Sequence, residues 1–158
     1  MASGDTREDI LARLLVIAGT VTGIADTARN RGLLGNEKRP AIVVLYGDEL
    51  PRLSVDTSRI KGMASMMAPQ IVQLRPEVYI LPKEKRPTNQ DASNIGTEAN
   101  GFRIAFLEKV WGDVELAALL GSNGSMVYNG CETDLKSGSA MSGEIRLDFI
   151  VNYLLKPE

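Results

Sequence analysis

Near its C-terminal end the chain places Ile145, Leu147, Phe149, Val151 and Tyr153 in alternation with Glu144, Arg146, Asp148 and Asn152. Successive side chains on a strand point to opposite faces, so this period of two predicts a long strand with one buried and one wet face. Such a strand cannot stand alone. It needs other strands beside it and an apolar layer against its buried side.

Two other stretches supply that layer. Ile10, Leu14, Ile17, Ala18 and Val21 recur at helical spacing behind Thr6-Arg7-Glu8-Asp9, which reads as an N-cap with an acidic partner three residues on. A first helix therefore starts near Arg7 and ends around residues 18 to 22, where Gly19 and Gly23 weaken it. Behind the cap region Asp91-Ala92-Ser93-Asn94, the residues Ile95, Ala99, Phe102, Phe106 and Val110 draw one stripe along a second helix that stops at Gly112. Asp113 caps a short helix from Val114 to Leu120, with Gly121 as its stop.

The remaining strands are read from shorter signals. Ala41 to Tyr46 is a continuous apolar run between Pro40 and Gly47-Asp48, which predicts a strand buried on both faces at the sheet centre. From Gln70 to Leu81 the residues Val72, Leu74, Val78 and Ile80 keep one phase across Pro76. Proline cannot donate to a ladder, so Pro76 predicts an edge or a bulge in a long bent strand or two short ones. Asn129-Gly130, between Ser125–Tyr128 and Cys131–Leu135, predicts a hairpin turn, because that pair supplies the positive φ angles of a type I′ turn. Ala28 to Pro40 reads as a loop, and so does the Gly/Ser-rich stretch Lys136 to Gly143.

The expected fold is α+β: a mixed, mainly antiparallel sheet of about four to six strands, with two main helices packed on one face. Residues 1–158 form a single domain, with a projecting arm at about 52–68. That arm has too little apolar content for a core of its own and carries Leu53, Val55, Met63, Met66 and Met67. Methionine adapts to irregular surfaces, so the arm suits docking on a neighbour, while filling gaps in the core is the alternative. With 44% apolar and 24% charged residues, the chain has the composition of a folded protein. Its start lacks a signal-peptide pattern, no stretch has the length of a membrane span, and the lone Cys131 calls for no oxidising compartment.

Chemistry is excluded class by class. Histidine is absent, which removes the commonest general base, the commonest metal ligand and every Ser-His or Cys-His pair. A net charge of −2 lacks the basic excess of tight nucleic-acid binders, and 5% aromatics leaves little for base stacking. Asp48 and Glu49, at the exit of the expected central strand, form a conceivable divalent-cation site, with turn residues before Pro51 as the plainer reading. Glu132 and Asp134 share a strand face as solvent-facing charges do, and Gly121 to Ser125 lacks the Lys-Ser/Thr of a phosphate loop. Arg29, Arg31, Lys38 and Arg39, and separately Lys83, Lys85 and Arg86, are basic clusters of the kind that solvated loops carry.

Several segments in this order resemble the tail terminator family of long-tailed bacteriophages. They are Thr6 to Leu14, Pro40 to Leu45 running into Gly47-Asp48-Glu49, and Met67-Ala68-Pro69-Gln70. Trp111-Gly112-Asp113 with Leu116 and Leu119, Tyr128 to Glu132, and Phe149 to Tyr153 near Pro157 complete the set. The resemblance spans nearly the whole chain.

It implies a non-enzymatic virion protein without cofactor, metal or membrane partner. Assembled in the host bacterial cytoplasm, such a protein forms a ring, usually a hexamer, at the head-proximal end of the tail. There it caps the tube of major tail tube protein, stops polymerisation and offers a surface to the head-tail connector or neck proteins. DNA passes through the ring without specific binding, which a mildly acidic subunit suits. The interface candidates are Leu53, Val55, Met63, Met66, Met67, Pro76, Lys83, Lys85 and Arg86, on the arm, the charged loop and the sheet edge. Two alternatives stand beside this reading: a head-closure or neck adaptor of the same virion, and a small carboxylate-metal hydrolase using Asp48, Glu49 and Asp56.

Overall fold

The computed structural model describes residues 5–29, 39–51, 70–82, 95–122, 124–136 and 142–155. In chain order these contain α1 (Thr6–Gly19), β1 (Asp26–Arg29), β2 (Ala41–Pro51), β3 (Gln70–Leu81), α2 (Ile95–Trp111), α3 (Val114–Leu120), β4 (Ser125–Lys136) and β5 (Ser142–Leu155). One five-stranded sheet runs in the order β1-β2-β3-β5-β4, parallel between β1 and β2 and antiparallel elsewhere. This is the expected α+β class, with three described helices.

Both periodicities do the work they promised. Ile145, Leu147, Phe149, Val151 and Tyr153 of β5 are all buried, and they pack with Val72, Leu74, Val78 and Ile80 of β3 and Ile42 and Val44 of β2. Above them lie Ile10, Leu11, Leu14, Ile17 and Ala18 of α1, Ala99, Phe106 and Val110 of α2, and Leu116 of α3. Phe149 meets Phe106 edge-on at 6.2 Å and Tyr128 at 5.8 Å between ring centroids, separations at which aromatic pairs attract. The sheet's other face carries a smaller buried cluster, Ala28, Ala41, Val43 and Leu81.

Five expectations need correcting. The N-cap of α1 is Asp5, whose carboxylate accepts from the N–H groups of Arg7 at 3.0 Å and Glu8 at 3.3 Å, so the helix opens at Thr6. Ala28 and Arg29 belong to β1, a short edge strand aligned with Val43 and Val44, and not to a loop. β2 is buried on both faces over Ala41–Val44, but the centre of the sheet is β3. β2 also does not end at Gly47-Asp48; it runs on to Pro51 through a bulge in which Tyr46 and Gly47 together oppose Pro76. Finally, Asn129-Gly130 is not a turn, because β4 continues through it to Lys136 with Asn129 and Gly130 bulged opposite Asp148.

These irregularities line up. The β3–β5 register passes unbroken through Pro76, which places it opposite Phe149, and a bulge lies on each side of that pair. Pro76 therefore sits in the central strand, and the bulge of β2 is what accommodates its missing donor. Gly47 makes that bulge possible: its φ is +66°, and a Cβ there would lie 1.7 Å from the carbonyl oxygen of Arg75. Asp148 ties the seam together, accepting from Asn129 Nδ2 at 2.9 Å and Arg75 Nη2 at 3.1 Å.

Candidate functional site

Of the interface candidates read from the sequence, only Pro76 falls among the described residues, and it is buried in the central strand; no sheet edge exists there. Leu53, Val55, Met63, Met66, Met67, Lys83, Lys85 and Arg86 lie outside the described residues, as does Asp56. The described edges are β1, four residues long, and β4, twelve residues long.

Asp48 and Glu49 do not converge. Asp48 is opposite Arg75 on the open face, and Glu49 is opposite Leu74 on the helix side, so consecutive strand residues send the two carboxylates to opposite faces. Glu49 Oε1 is buried without a hydrogen-bond partner. No group of three or more Asp, Glu or Cys side chains able to hold a metal ion occurs among the described residues. Cys131 is exposed near Tyr128, whose phenol burial pushes above its ordinary range, helped by a hydrogen bond to Cys131 and opposed by Arg103.

Three polar arrangements tie the helices and strands together. Arg13 of α1 forks onto Asp113, with Nε at 2.8 Å and Nη2 at 2.6 Å, while Asp113 also caps α3 by accepting from the Leu116 N–H at 2.8 Å. The Arg13 guanidinium, and then the Leu116 N–H, hold the Asp113 carboxyl below its usual range against the opposing effect of burial. At the start of α1, Arg29 forks onto Glu8 and lowers that carboxyl likewise. Arg7 and Arg29 also stand 5.4 and 5.2 Å from the Tyr46 ring centroid, and Arg7 donates to the Gly47 carbonyl at 2.9 Å, anchoring α1 to the bulge.

On the open face, Arg146 pairs with Glu132 at 2.6 Å and Glu77 at 3.8 Å, and the buried Arg39 and Glu144 approach to 3.9 Å. Each charge is matched by a neighbour across the sheet. The Arg146 pairs are partly solvated, as on a wet strand face, whereas Arg39 and Glu144 are shielded from water, with Glu144 bordering a cleft of about 310 Å³ beside Tyr79, Thr133 and Arg146.

What stands out is apolar. Trp111 is 59% exposed and Val114 79% exposed at the corner between α2 and α3, beside a cleft of about 180 Å³ lined by Val110, Leu116, Ala117, Leu120 and Met126. On the sheet face away from the helices, beyond the seam, Leu50, Ile71 and Val127 are exposed, and the cross-strand row Gln73–Asn152–Ser125 separates Ile71 and its neighbour Leu154 from Val127 and its neighbour Ile150. Sequence reading missed these exposed residues. Trp111 and Val114 lie off the apolar stripe of α2 and beside a cap, Leu50 fell beyond the expected end of its strand, and Val127 looks like an interior strand residue until the register sets its face. No helix among the described residues is long and apolar enough to cross a membrane. No protein-family model matches the chain, and a comparison with curated proteins finds no match.

Proposed function

We propose that the protein is a structural subunit of a long-tailed bacteriophage, a tail terminator that assembles as a ring on the finished tail tube, halts polymerisation and presents the surface to which the head joins. The family resemblance along the sequence is the origin of this reading. One structural observation supports it: among the described residues, Trp111, Val114, Leu50 and Val127 are large exposed apolar side chains, and a twelve-residue strand stands at the end of the described sheet, features that suit contact with other subunits. The charged groups, by contrast, are paired locally along the sheet and at the helix ends. The ring is expected to be a hexamer, with the tube protein below it and the neck proteins above.

The test is a polymerisation assay. Purified tail-tube subunit is assembled with and without this protein and the lengths are read by electron microscopy. A terminator shortens and narrows the length distribution in proportion to its concentration and leaves a ring at one end of each tube. Unchanged lengths and bare ends refute the reading.

A further inference from the structure

β4 ends the described sheet opposite β1, and among the described residues no strand pairs with its outer edge. Ser125, Val127, Asn129 and Cys131 are exposed along it. Natural edge strands are guarded by charge, proline or a bulge, because unpaired N–H and C=O groups invite another chain. From Ser125 to Cys131 the sequence holds neither a charge nor a proline. The bulge at Asn129 and Gly130 interrupts the far part of the edge and leaves Ser125–Tyr128 as an unguarded run, paired in unbroken register with Phe149–Asn152.

The same run borders the cleft at the α2–α3 corner. Met126, half-buried, lines it together with Trp111, Leu116, Ala117 and Leu120. At about 180 Å³ this cleft is smaller than the roughly 300–1,000 Å³ of small-molecule sites and has the size for one apolar side chain. Its one charged lining residue, Asp113, is already held by Arg13 and by the Leu116 N–H, so an uncharged anchor matches it. Trp111, 59% exposed, forms part of the wall, and tryptophan is a residue type on which binding energy concentrates.

Edge and cleft together specify the occupant. Only an extended backbone matches a row of unpaired N–H and C=O groups, and the alternation of side chains along a strand sends one toward the cleft beside Met126 while the backbone pairs. We propose that Ser125–Tyr128 receives an extended, uncharged peptide segment of another protein as an added strand, with one large aliphatic or aromatic side chain of that segment seated in the cleft against Trp111. This contact is independent of the tail-terminator reading, since it involves neither a ring nor a second copy of this chain.

The probe is a display library of random linear heptapeptides, selected on the immobilised full chain, with the enriched sequences then synthesised. Enrichment of peptides that alternate β-branched residues around one Leu, Ile, Phe or Met is expected. Trp111 is the single tryptophan, so its emission should move to the blue as the anchor excludes water. Hydrogen exchange read by NMR should slow at least tenfold at alternate amides of Ser125–Tyr128, those that point away from β5. A peptide N-methylated at alternate residues keeps its side chains but loses backbone donors, and it should bind at least tenfold more weakly. Ala117→Phe, at an exposed position of α3, fills the cleft and should weaken binding to a similar degree with an unchanged circular dichroism spectrum. No enriched peptide, protection confined to segments other than β4, or binding indifferent to N-methylation or to Ala117→Phe would overturn the proposal. Edge amides protected in the protein alone, increasingly so at higher concentration, would overturn it by assigning the edge to a second copy.

Discussion

On the helix side of the sheet, the inward positions of β3 from Val72 to Ile80 and of β5 from Ile145 to Tyr153 are apolar and buried; on the other side, the strands carry Glu77, Arg146, Asp148 and Glu132 in ion pairs and, past the seam, the exposed Leu50, Ile71 and Val127 around the polar row Gln73–Asn152–Ser125. The contrast separates two kinds of apolar surface on one sheet. Residues under the helices hold the fold together. Leu50, Ile71 and Val127, on the other face, are exposed and bury little against the described residues.

Substitutions should split along that line. Phe149→Ala removes a fully buried ring that touches Phe106 and Tyr128 and lies opposite Pro76, and it should cost about 3–5 kcal/mol in urea denaturation. Next comes the seam that both faces share. Gly47→Ala must move backbone, since the new Cβ meets the Arg75 carbonyl, and should cost about 2–3 kcal/mol. Gly130→Ala, at φ +109° in the other bulge but with open space around it, should cost about 1 kcal/mol. Equal costs would mean that the two bulges are not the different structures described.

The tie between α1 and α3 gives a smaller, pH-dependent effect. Asp113 and Glu8 are held below their ordinary values of 3.8 and 4.5 in the folded chain. A carboxyl lowered on folding stabilises fully above its unfolded value, and that contribution is lost as the pH falls through the lower folded value. The urea midpoint should therefore drop as the pH falls below about 4.5. Asp113→Asn keeps a capping side chain but removes the charge, so its midpoint should fall less steeply in acid than that of the wild type. The smallest effect belongs to the open face: Glu132→Ala should change stability by less than about 0.5 kcal/mol, because its partner Arg146 stays solvated.

Elements whose signal is their own periodicity were legible in the sequence: the stripe of α2, the apolar positions of α1, the alternation of β5 and the phase of β3. What escaped was decided at long range. Asn129-Gly130 offers the same positive φ to a tight turn and to a bulge, and only the fourteen-residue β5 lying beside it selects the bulge. Pro76 announced an interruption correctly but not its position, since β2 bulges to accept it in the middle of the sheet. β1, four residues without a β-branched run, forms because β2 is there to pair with it. The candidate surfaces escaped for a related reason: exposure of Trp111, Val114 or Leu50 is a property of what fails to cover them.

Order of addition tests the assembly account most directly. Tubes are grown to a short length, treated with this protein, then given a second dose of labelled tube subunit and imaged. The account predicts a ring at one tube end and no labelled growth beyond it. Labelled subunit adding freely at both ends of treated tubes would contradict it.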